Sequence, residues 1–196
     1  MRRTLYPPRS EGQRDEQRGL GSKSAEEEEE YFPPRDAAFV RRNWRVLLRI
    51  FFALVWSIDA YFKWLFVYYG GDFGHMIRSA AQNQPGFAQN WMNLWANIAQ
   101  ATPNFTLLIA IFETLIASFL LLGLLTPVVS TMGIIFNLLI WSTAEGFGGI
   151  LQPGATDIGT GPLYAAIFAG LIVIQAGRQK GVDKILHKRF PSIPFW

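Results

Sequence analysis

The apolar residues of this chain gather into four long stretches, at 50–69, 105–125, 127–144 and 158–176. A helix of about 20 such residues, rising about 1.5 Å per residue, spans about 30 Å, the thickness of a bilayer's hydrocarbon core. A helix of a soluble protein carries a polar face along its whole length, and these stretches do not. The pattern therefore predicts an all-α fold, a four-helix transmembrane bundle, with a tight hairpin between the second and third helices.

The segments outside these stretches differ in composition. Residues 1–38 mix Arg, Glu, Gly, Ser and Pro and are predicted to form a polar tail, disordered or ordered by a partner. The membrane domain is predicted over 39–178, and a basic-apolar C-terminal segment over 179–196 along the inner leaflet. Apolar residues at helical spacing within 70–104 predict two short amphipathic segments, either at the outer interface or as a lid over the bundle.

The basic residues predict the orientation of the chain. Arg41, Arg42, Arg45 and Arg49 lie at the start of the first apolar stretch, and five Lys or Arg residues follow the last one. In the predicted outer loops between these segments, Arg78 is the only Lys or Arg residue. By the positive-inside rule both termini are cytoplasmic, so the chain is predicted to be a multi-pass protein of the inner or plasma membrane.

The composition of the chain excludes several kinds of redox and metal chemistry. Hydrophobic residues make up 50% of the chain and charged residues 17%, and there is no cysteine. Disulfides, thiolate ligands and thiol redox chemistry are therefore excluded within this chain. The two histidines, His75 and His187, are predicted on opposite sides of the membrane, which argues against a bis-histidine haem, and we expect no metal site. No basic groove interleaved with aromatics is present, and we expect no nucleic-acid partner.

Five ionisable residues are predicted in the outer half of the bundle: Asp59, Lys63, Glu113, Glu145 and Asp157. Charges at membrane depth are costly and are kept where they pair or serve a site. Asp59 precedes Lys63 by four residues, the favourable order for a helical ion pair. Lys63 could instead extend to the outer headgroups, and Glu145 could be an ordinary interfacial carboxylate. Asn137 could hydrogen-bond to either deep acid.

The first apolar stretch resembles the first helix of the DoxX/DoxD family. In the DoxD branch an arginine is followed by tryptophan, aspartate and lysine-tryptophan at the spacing of Arg49, Trp56, Asp59, Lys63 and Trp64. Together with three further motifs, this similarity covers about residues 41–178.

The further motifs follow in order along the chain. Glu113 followed by a Leu-rich segment that ends in Gly-Leu-Leu-Thr at 123–126 is similar to the family's second helix. The segments 145–149 (Glu-Gly-Phe-Gly-Gly) and 156–161 (Thr-Asp-Ile-Gly-Thr-Gly) resemble the end of its third helix and the loop after it. The resemblance implies a four-helix membrane subunit that works with other subunits of a respiratory redox complex.

Two functions are compatible with these observations. The DoxD branch forms the large subunit of a thiosulfate:quinone oxidoreductase, which implies a quinone-linked subunit with a non-covalently bound quinone. Asp59 and Glu113 are then the expected proton-linked acids. The expected substrate-binding residues are Lys63, Trp56, Trp64, Glu145 and Asp157. The alternative is a non-catalytic accessory subunit that stabilises a larger membrane complex, with membrane lipid and other subunits as its partners.

Overall fold

The computed structural model describes residues 35–190, and every regular element in that part of the chain is a helix. The all-α class is therefore confirmed for these residues. The acidic run 26–30 and the aromatic-proline cluster 31–34, like residues 191–196, lie outside the described residues. The helices are α1 (Arg35–Tyr68), α2 (Phe73–Ala81), α3 (Gly86–Ala101), α4 (Phe105–Leu122), α5 (Thr126–Ser142), α6 (Thr160–Val173) and α7 (Val182–Arg189).

Two of these helices are long and apolar enough to cross a bilayer, as judged by length and composition. They are Phe39–Tyr68 within α1, and α4. Helices α5 and α6 are also apolar but contain only 17 and 14 residues. They are shorter than the predicted stretches because Thr143 leaves the helical conformation after α5, and α6 does not begin until after Gly159.

Residues 43–190 belong to one compact unit, which contains the core. Aromatic rings from three helices form its centre. The ring of Phe52 on α1 lies 4.8 Å from that of Phe168 on α6, and the ring of Trp56 lies 5.2 Å from Phe168. Gly133 on α5 permits this packing because a β-carbon there would collide with the Phe168 ring.

The connection between α1 and α4 folds as two helices packed on each other. The buried residues of α3 are mostly small, namely Ala88, Ala96 and Ala99 with Met92, whereas α2 buries the larger Phe73 and Ile77 beside Ala81. The larger apolar side chains of α3, such as Phe87, remain exposed. Arg78 of α2 donates 2.7 Å hydrogen bonds to side-chain oxygens on α3. The exposed aromatic face is compatible with the predicted interfacial segments, and Phe73 of α2 also joins the core.

Helix α7 is attached to the turn between α4 and α5 by a buried carboxylate. The oxygens of Asp183 accept hydrogen bonds from the backbone N–H groups of Leu125, at 2.6 Å, and Thr126, at 2.9 Å. Arg49 of α1 is also buried here and donates to the backbone carbonyls of Ala176 and Lys180. The basic C-terminal segment is thus part of the folded unit as far as residue 190.

Candidate functional site

A cavity of about 210 Å³ lies among α1, α4, α5 and α6, beside the C-terminal part of α1. Between Arg49 and Lys63 the helix rises about 21 Å, at about 1.5 Å per residue. Six polar residues from all four helices and the α5–α6 loop line the cavity: Asp59, Lys63, Glu113, Asn137, Glu145 and Thr160. The acids predicted on separate stretches therefore meet in one place, together with the predicted lysine.

The ion pair in this cavity joins two helices. The Nζ of Lys63 on α1 lies 3.4 Å from Oε1 of Glu113 on α4. Within residues 35–190 this is the ion pair that Lys63 makes, and no salt bridge within 4 Å joins it to Asp59, the partner that the spacing along α1 offers. The side chain of Glu113 is only 4% exposed, whereas Asp59 is half-buried. The more deeply buried carboxylate loses more hydration and gains more from the cation, which explains the preference.

With the two remaining carboxylates, the cavity has more acidic than basic side chains. Asp59 and Glu145 line it in addition to Glu113, against a single ammonium group. Glu145 lies at the solvent-exposed edge, where its Oε1 is 3.5 Å from the hydroxyl of Thr160. Displacement of water by the surrounding protein raises the pKa of the Glu145 carboxyl above its ordinary value, while Lys63 and the Thr160 hydroxyl partly oppose this.

Aromatic side chains form the apolar wall of the cavity. Trp56, Phe136 and Tyr164 line it together with Ile140. The ring of Trp56 lies 6.3 Å from the rings of both Phe136 and Tyr164. The cavity thus offers flat apolar surfaces beside charged and hydroxyl groups, a combination typical of sites for small ring compounds.

Two predicted substrate-binding residues do not line the cavity. The indole N–H of Trp64 donates to the hydroxyl of Thr114 at 2.9 Å, which fastens α1 to α4. Asp157 is exposed, and its carboxylate accepts a 2.8 Å hydrogen bond from the backbone N–H of Gly159, just before α6. Both therefore act on local structure rather than on the contents of the cavity.

Asn137 lines the cavity, but its side-chain N–H group does not donate to Asp59 or Glu113, the two deep acids that the sequence suggests as its partners. Its Nδ2 donates a hydrogen bond to the backbone carbonyl of Gly161 in the first turn of α6. The bond fastens α5 to α6 where the cavity opens between them. Asn137 thus fixes the position of Thr160, the neighbour of Gly161, instead of contacting a carboxylate.

Sequence reasoning missed Thr160 and Tyr164 as lining residues. Both come from α6 and are four residues apart, so they lie on the same face of that helix. A polar residue and a tyrosine at this spacing in an otherwise apolar helix are the signal that could have found them. Phe136 and Ile140 show the same spacing on α5, but nothing distinguishes them in sequence from ordinary core residues.

The chemistry available in this cavity is proton exchange and hydrogen bonding. Within the described residues no three His, Asp or Glu side chains are grouped so as to hold a metal ion. The carboxylates can accept or release protons, the Lys63–Glu113 pair supplies a fixed charge, and the aromatic wall can hold a ring.

Comparisons of the chain with models of protein families, with curated proteins and with solved structures find no match. The resemblance to the DoxX/DoxD family therefore remains a prediction.

Proposed function

We propose that this chain is a multi-pass membrane protein in which α1, α4, α5 and α6 form a four-helix transmembrane bundle, with both termini in the cytoplasm. The support is the apolar exterior of these helices. Phe51 and Ile58 on α1 are 65% and 57% exposed, and Val173 at the end of α6 is 81% exposed. Soluble proteins rarely expose such continuous apolar surface, whereas lipid requires it.

We propose further that the cavity binds the headgroup of a quinone and exchanges protons with it, within a membrane redox complex. The observation that carries this proposal is the buried Lys63–Glu113 pair, which lies beside a second carboxylate, Asp59, and an aromatic wall. A quinone needs an apolar slot for its ring and a proton-exchanging group next to its oxygens. Glu113 and Asp59 take the latter role.

The size of the cavity fits this ligand. Its volume of about 210 Å³ is below the roughly 300–1,000 Å³ of pockets that enclose a drug-sized molecule. It has room for a headgroup of one ring or two fused rings and not for an isoprenoid tail. The tail of a quinone would therefore extend between the helices into the lipid, where the exterior is apolar.

The reaction balances with a partner subunit as the source of electrons. Two thiosulfate ions form one sulfur–sulfur bond to give tetrathionate and release two electrons, and a quinone takes two electrons and two protons to become a quinol. The chain has no cysteine, so the electrons come from a redox centre of the partner. Three carboxylates against one lysine repel an anion, which argues that thiosulfate is oxidised on the partner and not in this cavity.

The test is thiosulfate-dependent reduction of a soluble quinone by membranes that contain the full chain and its native complex. Glu113→Gln and Asp59→Asn should each lower the rate by about 10²-fold or more, the usual contribution of a positioned proton donor. Asp157→Asn is the matched control, because that acid is exposed and does not line the cavity. Unchanged rates in both cavity variants, with the complex intact, would refute the catalytic role.

The second candidate is a non-catalytic accessory subunit. The buried residues Arg49 and Asp183 favour it, because their hydrogen bonds go to backbone groups and serve to fasten α1, α7 and the α4–α5 turn. Buried charge in this chain therefore has at least one purely structural use. If Glu113→Gln lowers thermal stability or complex assembly while the turnover of the assembled complex is unchanged, this candidate replaces the first.

A further inference from the structure

Two buried polar atoms in the cavity lack a partner, and they are of opposite kinds. The indole N–H of Trp56 is a donor, and Oε2 of Glu113 is an acceptor. Within residues 35–190 neither atom has a hydrogen-bond partner, although Trp56 is only 3% exposed and the Glu113 side chain only 4%. Leaving a buried polar group unpaired is costly, and such groups in proteins are nearly always satisfied.

The two atoms belong to residues that line the same cavity. The other oxygen of Glu113, Oε1, is already paired with Lys63 at 3.4 Å. Oε2 therefore remains available as an acceptor of a hydrogen bond. The Trp56 ring is fixed by its contacts with Phe52, Phe136 and Phe168, so its N–H cannot turn away to another partner.

We infer that the cavity is selective for an aromatic ring that bears a hydroxyl group, so that of the two forms of a quinone it binds the quinol more tightly. This rests on the proposed function and identifies which form of the ligand the site prefers. A ring hydroxyl can accept from the Trp56 N–H and donate to Oε2 of Glu113. A quinone carbonyl can accept from Trp56, but it leaves the carboxylate oxygen unsatisfied.

The selectivity has a consequence for electron transfer. A site that binds the reduced form more tightly raises the reduction potential of the bound couple, because binding stabilises the product of reduction. For a two-electron couple each tenfold difference in affinity corresponds to about 30 mV. The cavity would thus favour electron transfer from the partner's centre to the bound ring.

The experiment uses two stable, redox-inactive probes that are similar to each other in size, 1-naphthol and 1-methoxynaphthalene. The methyl ether retains the acceptor oxygen and lacks the donor hydrogen. Binding of each to the full chain in nanodiscs is measured by equilibrium dialysis, with empty nanodiscs subtracted. The wild-type chain should bind 1-naphthol about tenfold or more tightly than the ether, the usual value of a hydrogen bond to a charged group.

Two variants locate the preference. Trp56→Phe keeps an aromatic ring at this position and removes the N–H, and should weaken binding of both probes by about fivefold. Glu113→Gln should reduce the preference for 1-naphthol to less than about threefold, since a neutral amide is a weaker acceptor. The matched control is Trp95→Phe. The Trp95 N–H is also buried without a partner, but Trp95 does not line the cavity, so the probe affinities should not change.

The outcomes separate this inference from the proposed function. Equal affinity of the wild-type chain for the two probes would overturn the hydroxyl selectivity, and this measurement requires no variant to fold. Quinone reduction that still depends on Glu113 would then leave the proposed function intact. Weaker binding of both probes in Trp95→Phe, to the same degree as in Trp56→Phe, would place the binding outside the cavity and also overturn the inference.

Discussion

Replacing Lys63 by Met should destabilise the protein strongly, because it leaves the Glu113 carboxylate buried without its cation. The pair distance is 3.4 Å, and the Glu113 side chain is 4% exposed. Removing one partner of a buried pair costs about 3–5 kcal/mol. Lys63 is itself 25% exposed and so in partial contact with solvent, which places the cost at the lower end, about 3 kcal/mol. For a chain of this size that corresponds to a decrease in Tm of about 6–12 °C.

The double variant Lys63→Met/Glu113→Leu should recover most of this loss, since replacing both members of a buried pair with apolar residues is often close to neutral. Thermal melts of the four proteins in detergent, arranged as a double-mutant cycle, give the coupling energy. We expect about 2–3 kcal/mol of coupling between Lys63 and Glu113. A second cycle with Asp59→Leu in place of the Glu113 change should give less than half of that coupling.

Two results of these double-mutant cycles would refute the prediction. Additive effects in the cycle with Glu113 would show that the two side chains do not interact energetically. Stronger coupling of Lys63 to Asp59 than to Glu113 would show that the pair forms along α1 and not between α1 and α4.

Two further predictions concern the packing of the helices. Asp183→Asn should lower the free energy of unfolding by about 2–4 kcal/mol, because it weakens two backbone hydrogen bonds and removes the buried charge near Arg49. Chemical denaturation measures this loss, and an unchanged denaturation midpoint would contradict the prediction. Gly133→Ala should lower the free energy of unfolding by about 1–3 kcal/mol, because the new β-carbon collides with the Phe168 ring. Gly170→Ala is the control, since open space surrounds that glycine, and it should be neutral or stabilising. Equal melting temperatures for the two variants would show that the contact of Gly133 with Phe168 is not tight.

Part of the candidate site could be predicted because it depends on local chemistry. Asp59 and Glu113 stand out as short, charged side chains within apolar helices, and such residues rarely occur there without a partner. Trp64 was predicted from its place beside Lys63 in the first apolar stretch, and Asp157 from its place in the outer loop after the third; neither residue lines the cavity. The α1 helix directs Trp64 to Thr114 on α4, and Asp157 caps the backbone ahead of α6.

The sequence by itself determined the helices, because long apolar stretches bounded by Gly, Pro and polar residues become buried, and a helix pairs the backbone N–H and C=O groups within one segment. It also determined that the acids lie toward one end of the apolar helices. Which charge pairs with which was decided only by the tertiary structure. Spacing along α1 allowed Lys63 to reach Asp59, but the packing of α1 against α4 placed Glu113 closer and in greater need of a cation. In the same way, nothing near Asp183 in sequence indicates that its partners are Leu125 and Thr126, nearly 60 residues away. Contacts of this kind depend on how the helices pack, and the order of residues within a single helix does not encode them.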